Sequence, residues 1–99
     1  MNIDETTILK KMMESSIEEI KYAEKYIHLA EEVSEIPIAM KLQEIAKEEL
    51  KHHEMFKQML ETKLGNSVEG KTMKSDLMED VYEKWFSSVK ERIEDFKAR

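Results

Sequence analysis

A glutamate and a histidine interrupt an otherwise apolar stripe. Ile38, Leu42, Ile45, Glu49, His52, Phe56 and Met59 alternate by four and three, which sets them along one side of a helix. Where that periodicity calls for core, Glu49 places a carboxylate and His52 an imidazole. Burying either without a partner costs several kcal/mol. The two stand one turn apart, so one Glu oxygen and one His nitrogen can reach the same ion. Ligation of a metal is the chemistry this spacing offers. The bland alternative is a buried polar pair or a solvated helix edge.

The elements that must position them follow from the flanking sequence. A first helix is predicted from about Asp4 to Ser34, with Asn2 and Glu5 as a capping box and Asp4 and Glu5 suited to the positive end of its dipole. Leu9, Met13, Ser16, Ile20, Ala23, Ile27, Ala30 and Ser34 keep a strict four–three spacing, bordered by Met12, Glu19, Tyr26 and Val33. The small Ala23 and Ala30 allow another helix to approach closely. Ser34-Glu35-Ile36-Pro37 breaks the run, because proline suits the first turn of a new helix and discourages continuation of the old one. A second helix is predicted over about 37–64, antiparallel to the first across so short a connection. Gly65 serves as its C′ residue. Residues 65–72 read as a loop. Ser75 or Asp76 caps a third helix over about 75–97, whose Leu77, Val81, Tyr82, Trp85, Phe86, Val89, Ile93 and Phe96 read as packing surface.

In such a hairpin the two stripes meet, and Glu19, Tyr26, Glu49 and His52 can share one level. Glu19 lies 18 residues before Pro37 and Glu49 12 after it. A turn centred on Pro37 leaves them about 9 Å apart along the axis at about 1.5 Å per residue. Tyr26 then falls close in depth to Glu49. One hairpin supplies two carboxylates and an imidazole, half of what a two-metal centre takes. Two copies about a two-fold axis supply four Glu and two His, so the centre and a homodimer become one expectation. Glu18 and Glu24 are rival carboxylates one small rotation away. His53, about 100° from His52, is expected at the surface or an interface, His28 in solvent, Tyr22 in packing. The eight methionines are expected as core filler.

Composition narrows the classes. The chain has 99 residues, 38% of them charged, with two Gly, one Pro and no Cys. This suits one small all-α domain over 1–99, with little strand vocabulary. The absence of Cys excludes disulfides, thiolate metal sites, iron–sulfur clusters and cysteine nucleophiles. A net charge of −6 with no basic face argues against nucleic acid and favours cations. Neither a signal-peptide pattern nor an apolar run of about 18–20 residues is present. The expectation is a soluble, cytoplasmic protein without a membrane partner.

At AKEELKHHEMF the chain resembles the Glu-x-x-His helix of the ferritin-like superfamily, whose bundles carry such units in di-iron cores. Glu19, Tyr26 seven residues later, and Glu49 with His52 thirty residues after the first Glu are similar in spacing to the half-length ferritins called encapsulated ferritin-like proteins. The similarity covers roughly residues 10–64. It implies a ferritin-like four-helix bundle made by homodimerisation, with Glu19, Glu49 and His52 as iron ligands and Tyr26 beside them. It implies two irons per dimer, oxidation of Fe(II) to Fe(III) by O2 for storage or detoxification, a ring-like higher assembly, and residence in an encapsulin shell. Two features depart from that pattern. KERIEDFKAR lacks the small and apolar character of a shell-targeting tail. Glu18 suits an entry path for cations, but Lys21 and Lys25 do not.

By ligand chemistry, a carboxylate-rich site with one His per ion suits Fe(II), with Mn(II) and Zn(II) as alternative occupants. A Cys-free hairpin carries no rubredoxin-type relay, so ferroxidase is preferred to peroxidase. The rival expectation is a non-catalytic helical oligomerisation or adaptor module, in which Glu49 and His52 form a buried polar pair that specifies register.

Overall fold

The computed structural model describes residues 5–64 and 80–97. Among them the chain is all-helical: α1 (Glu5–Glu32), α2 (Ile36–Leu64) and α3 (Asp80–Asp95). The capping residue Asn2, the loop over 65–72, Gly65, and the caps Ser75 and Asp76 lie outside the described residues. α1 ends two residues before the expected Ser34, although the Val33 amide still donates to the Leu29 carbonyl at 3.0 Å. Pro37 sits in the first turn of α2, where its missing amide hydrogen would have had no helical partner.

α1 and α2 form the hairpin, and its seam repeats every seven residues. Leu9 packs with Leu60, Ser16 contacts His53, and Ala23 and Ala46 share the central cluster. Ala30 and Ala39 continue the series, both buried. Small residues in two of these four layers bring the helices close. Ile20 and Ile27 fill the space between layers and are fully buried, each contributing about 1.5–3 kcal/mol of hydrophobic stabilisation.

This seam corrects the expectation for α2. The periodicity sets Ile38, Ile45 and Met59 on a core stripe with Glu49 and His52, yet they are 46%, 38% and 52% exposed. The positions turned toward α1 are Ala39, Ala46, Leu50, His53 and Leu60. α2 carries two apolar stripes about 100° apart, and the alanine-bearing one wins the hairpin because it allows the tighter approach. The methionines divide likewise. Met12 and Met13 pack against the Leu9–Leu60 cluster, while Met40, Met55 and Met59 are exposed rather than core filler.

α3 lies across one face of the hairpin. Val89 and Ile93 are buried in the central cluster, with Trp85, Phe86 and Phe96 packed against it. Polar contacts fix the docking. Trp85 Nε1–H donates to Glu24 Oε2 at 2.9 Å, and Gln43 Nε2 donates to the Ile93 carbonyl at 2.8 Å, satisfying a carbonyl that the last turn of α3 leaves open. Arg92 pairs with Glu31, and Lys57 lies 3.8 Å from Glu83. These contacts use the side of the hairpin away from Glu49 and His52. The other face has no covering element among the described residues. Along it run Ile8, Tyr22 and Leu29 of α1 and Ile38, Ile45 and Met59 of α2, all more than one-third exposed.

Candidate metal centre

Glu19, Glu49 and His52 come together on that open face. α1 places Glu19 one turn beyond the Ser16–His53 layer, and α2 presents Glu49 and His52 from neighbouring turns. His52 Nδ1 is 3.8 Å from Glu19 Oε2 and 4.0 Å from Glu49 Oε2, and one ligand atom of each residue lies within 4.8 Å of the others. These separations are too long for good hydrogen bonds. They suit a shared ion, because donors about 2.0–2.2 Å from one metal stand roughly 3–4 Å apart. The carboxylates are mostly shielded, with side chains 19% and 22% exposed, whereas the His52 side chain is 51% exposed.

One atom of the cluster has no hydrogen-bond partner. Glu19 Oε2 is buried without a hydrogen-bond partner, and an unpartnered buried charge-bearing oxygen costs free energy that a bound cation would offset. The set of two carboxylates and one imidazole fits Fe(II), Mn(II) or Zn(II).

The register explains why the three meet. The chain turns at Val33–Glu35, ahead of Pro37. That shift removes most of the axial offset that a turn at Pro37 would leave between Glu19 and Glu49. Tyr26 stands seven residues along α1 from Glu19, about 10 Å, and its half-buried ring packs against the central cluster. Tyr22, expected in packing, is instead 44% exposed. Of the rival carboxylates, Glu18 is exposed and Glu24 is taken by Trp85. Lys21 and Lys25 face solvent. His28 is solvated and lies 3.2 Å from Glu32.

His53 is the second correction. It is 8% exposed, in the core rather than at the surface. Its Nδ1 lies 2.7 Å from the Ser16 carbonyl, and since a carbonyl only accepts, Nδ1 carries the proton. Its ring packs on Phe86 at 4.9 Å between centroids. The signal was present in the sequence: Ala39, Ala46, His53 and Leu60 repeat every seven residues, as do Leu9, Ser16, Ala23 and Ala30.

Burial holds the His53 imidazole below the ordinary value of 6.5, against a smaller opposing effect of the Ser16 hydrogen bond. The unfolded chain therefore takes up a proton at this ring more readily than the folded one. Stability from neutral His53 is fully present above pH 6.5 and is lost as pH falls from there toward the lowered folded value. Urea midpoints of metal-free protein should thus fall from pH 7.5 to 5.5 more steeply than those of His53→Gln. Equal slopes would show that His53 does not titrate with unfolding.

The chain gives no match to any protein-family model, curated protein or solved structure in the three comparisons. The reading of the site therefore rests on its own geometry. No helix among the described residues is long and apolar enough to cross a membrane.

Proposed function

We propose that the chain is a ferroxidase: it takes Fe(II) as substrate at Glu19, Glu49 and His52, and two copies join across the open face to complete the centre. The observation that carries this reading is the position of the cluster. A convergent trio with an unpartnered buried carboxylate oxygen sits midway along an uncovered apolar stripe. Three donors leave an iron ion under-coordinated. A second hairpin laid on the same face brings a second set of three, so that carboxylates can be shared between two ions, and covers Ile38, Ile45 and Met59 at the same time. Isologous pairing is also the commonest way to bury such a face.

Within this reading the residues divide the work. Glu19 and Glu49 supply negative charge that favours Fe(III) over Fe(II), and His52 supplies the one nitrogen donor from its chain. The flanking apolar residues exclude water once paired. Two Fe(II) give one electron each to one O2, which takes up two protons and leaves as hydrogen peroxide, and the ferric product departs. A pair of two-helix hairpins has no interior for a ferric mineral. Storage would therefore use a shell contributed by a partner, of the encapsulin type that the resemblance implies.

Native mass spectrometry of anaerobic protein titrated with Fe(II), followed by oxygen-uptake measurements, tests the proposal. Two irons per pair of chains and iron-dependent oxygen consumption are expected. Protein that stays metal-free at every iron level would leave the adaptor reading, which the uncovered apolar face also favours.

A further inference from the structure

Four layers pin the α1–α2 seam, and three of them are apolar on both sides. The exception, Ser16 with His53, lies directly beside the metal cluster. Ser16 is fully buried, and its carbonyl accepts the His53 hydrogen bond. Its hydroxyl, however, is buried without a partner. An alanine fills the equivalent position on α1 at residues 23 and 30, so packing alone does not call for a hydroxyl. A buried donor left without a partner is destabilising and asks for an explanation.

The other buried unpartnered side-chain atom among the described residues is Glu19 Oε2. It lies three residues along the same helix, where side chains are neighbours, and a helical Glu leans back toward the N-terminal turn that holds Ser16. One orphan is a donor and the other an acceptor. We propose that Ser16 is a positioning residue for Glu19, its hydroxyl donating to the Glu19 carboxylate directly or through one buried water when a metal ion is bound. A ligating carboxylate keeps lone pairs for such a partner, and partners of this kind orient the ligand. Ser16 then controls the direction of the Glu19 oxygens, while His53 holds Ser16 itself in place through the backbone. The inference rests on the metal reading above.

Co(II), whose absorption bands report its coordination, is the probe. Wild type, Ser16→Ala, Ser16→Thr and the neighbouring Ser15→Ala are each titrated, and thermal melts of the metal-free proteins are recorded alongside. Loss of an orienting partner should weaken Co(II) binding about 10–100-fold in Ser16→Ala and alter the Co(II) spectrum. Its metal-free melting temperature should be unchanged or higher, because an unsatisfied hydroxyl has been removed. Ser16→Thr should restore binding, and Ser15→Ala should bind as wild type. Equal affinity for wild type and Ser16→Ala would overturn the proposal and leave the metal centre standing. So would a lowered metal-free melting temperature with no change in affinity, which marks a purely structural hydroxyl. A wild type that binds no Co(II) would remove the metal reading and this proposal together.

Discussion

Alanine at both Glu49 and His52 is expected to abolish tight Fe(II) binding while leaving the metal-free protein at least as stable as wild type. In the proposed centre the pair supplies two of the three donors on each chain. At about 2–5 kcal/mol for each truncated charged partner, losing both weakens binding by roughly a thousandfold or more. The fold loses little, because neither side chain belongs to the seam: Glu49 is partly and His52 half exposed. Removing Glu49 also takes away a like charge facing the unpartnered Glu19 Oε2. Thermal melts with and without Fe(II) separate the readings. A ligand that binds only the folded state raises stability by about 2.7 kcal/mol at a hundred times its Kd. Wild type should gain in this way and the double variant should not. If Fe(II) stabilises neither protein, and the variant melts higher than wild type, Glu49 and His52 are a polar pair and not ligands.

The second large effect concerns the open face. Ile38→Lys combined with Met59→Lys is expected to keep the protein monomeric. Both positions are about half exposed in the single chain, and surface substitutions of this kind change monomer stability by about 0.5 kcal/mol or less. In a pair of chains joined across this face, the four lysines would be buried without partners, at several kcal/mol of association free energy. Ile38 and Met59 flank the cluster at distances of eleven and seven residues along α2. The added charges therefore spare the ligands while blocking contact. Sedimentation velocity should show wild type sedimenting as a pair or larger species with Fe(II), and the lysine variant as a single chain that binds iron weakly. Wild type that remains a single chain at every iron level would show that two chains do not join across this face.

The sequence was most informative where one residue type answers to one physical demand. Pro37 after a four–three run marked the hairpin. Ala23 and Ala30 marked the close approach, and the spacing of Glu19, Glu49 and His52 marked three residues that the fold brings within ligand reach. It was least informative about rotation. α2 has two apolar stripes, and period alone does not say which one meets α1. Reading the stripe with Glu49 and His52 as core puts His53 at the surface or an interface, whereas it is buried against Ser16 in the seam that the alanines share.

The all-α class, the antiparallel hairpin and the identity of the clustered residues were legible in the chain alone, because helical periodicity and a proline break are local properties. Packing between the helices settled the rest. It turned the chain at Val33–Glu35, setting Glu19 beside His52 and packing Tyr26 against the central cluster. It laid α3 on one face and left the cluster on the other. Both outcomes depend on side-chain volume across the seam: a one-residue change of register moves a contact by about 1.5 Å, and no pattern within a single helix records it.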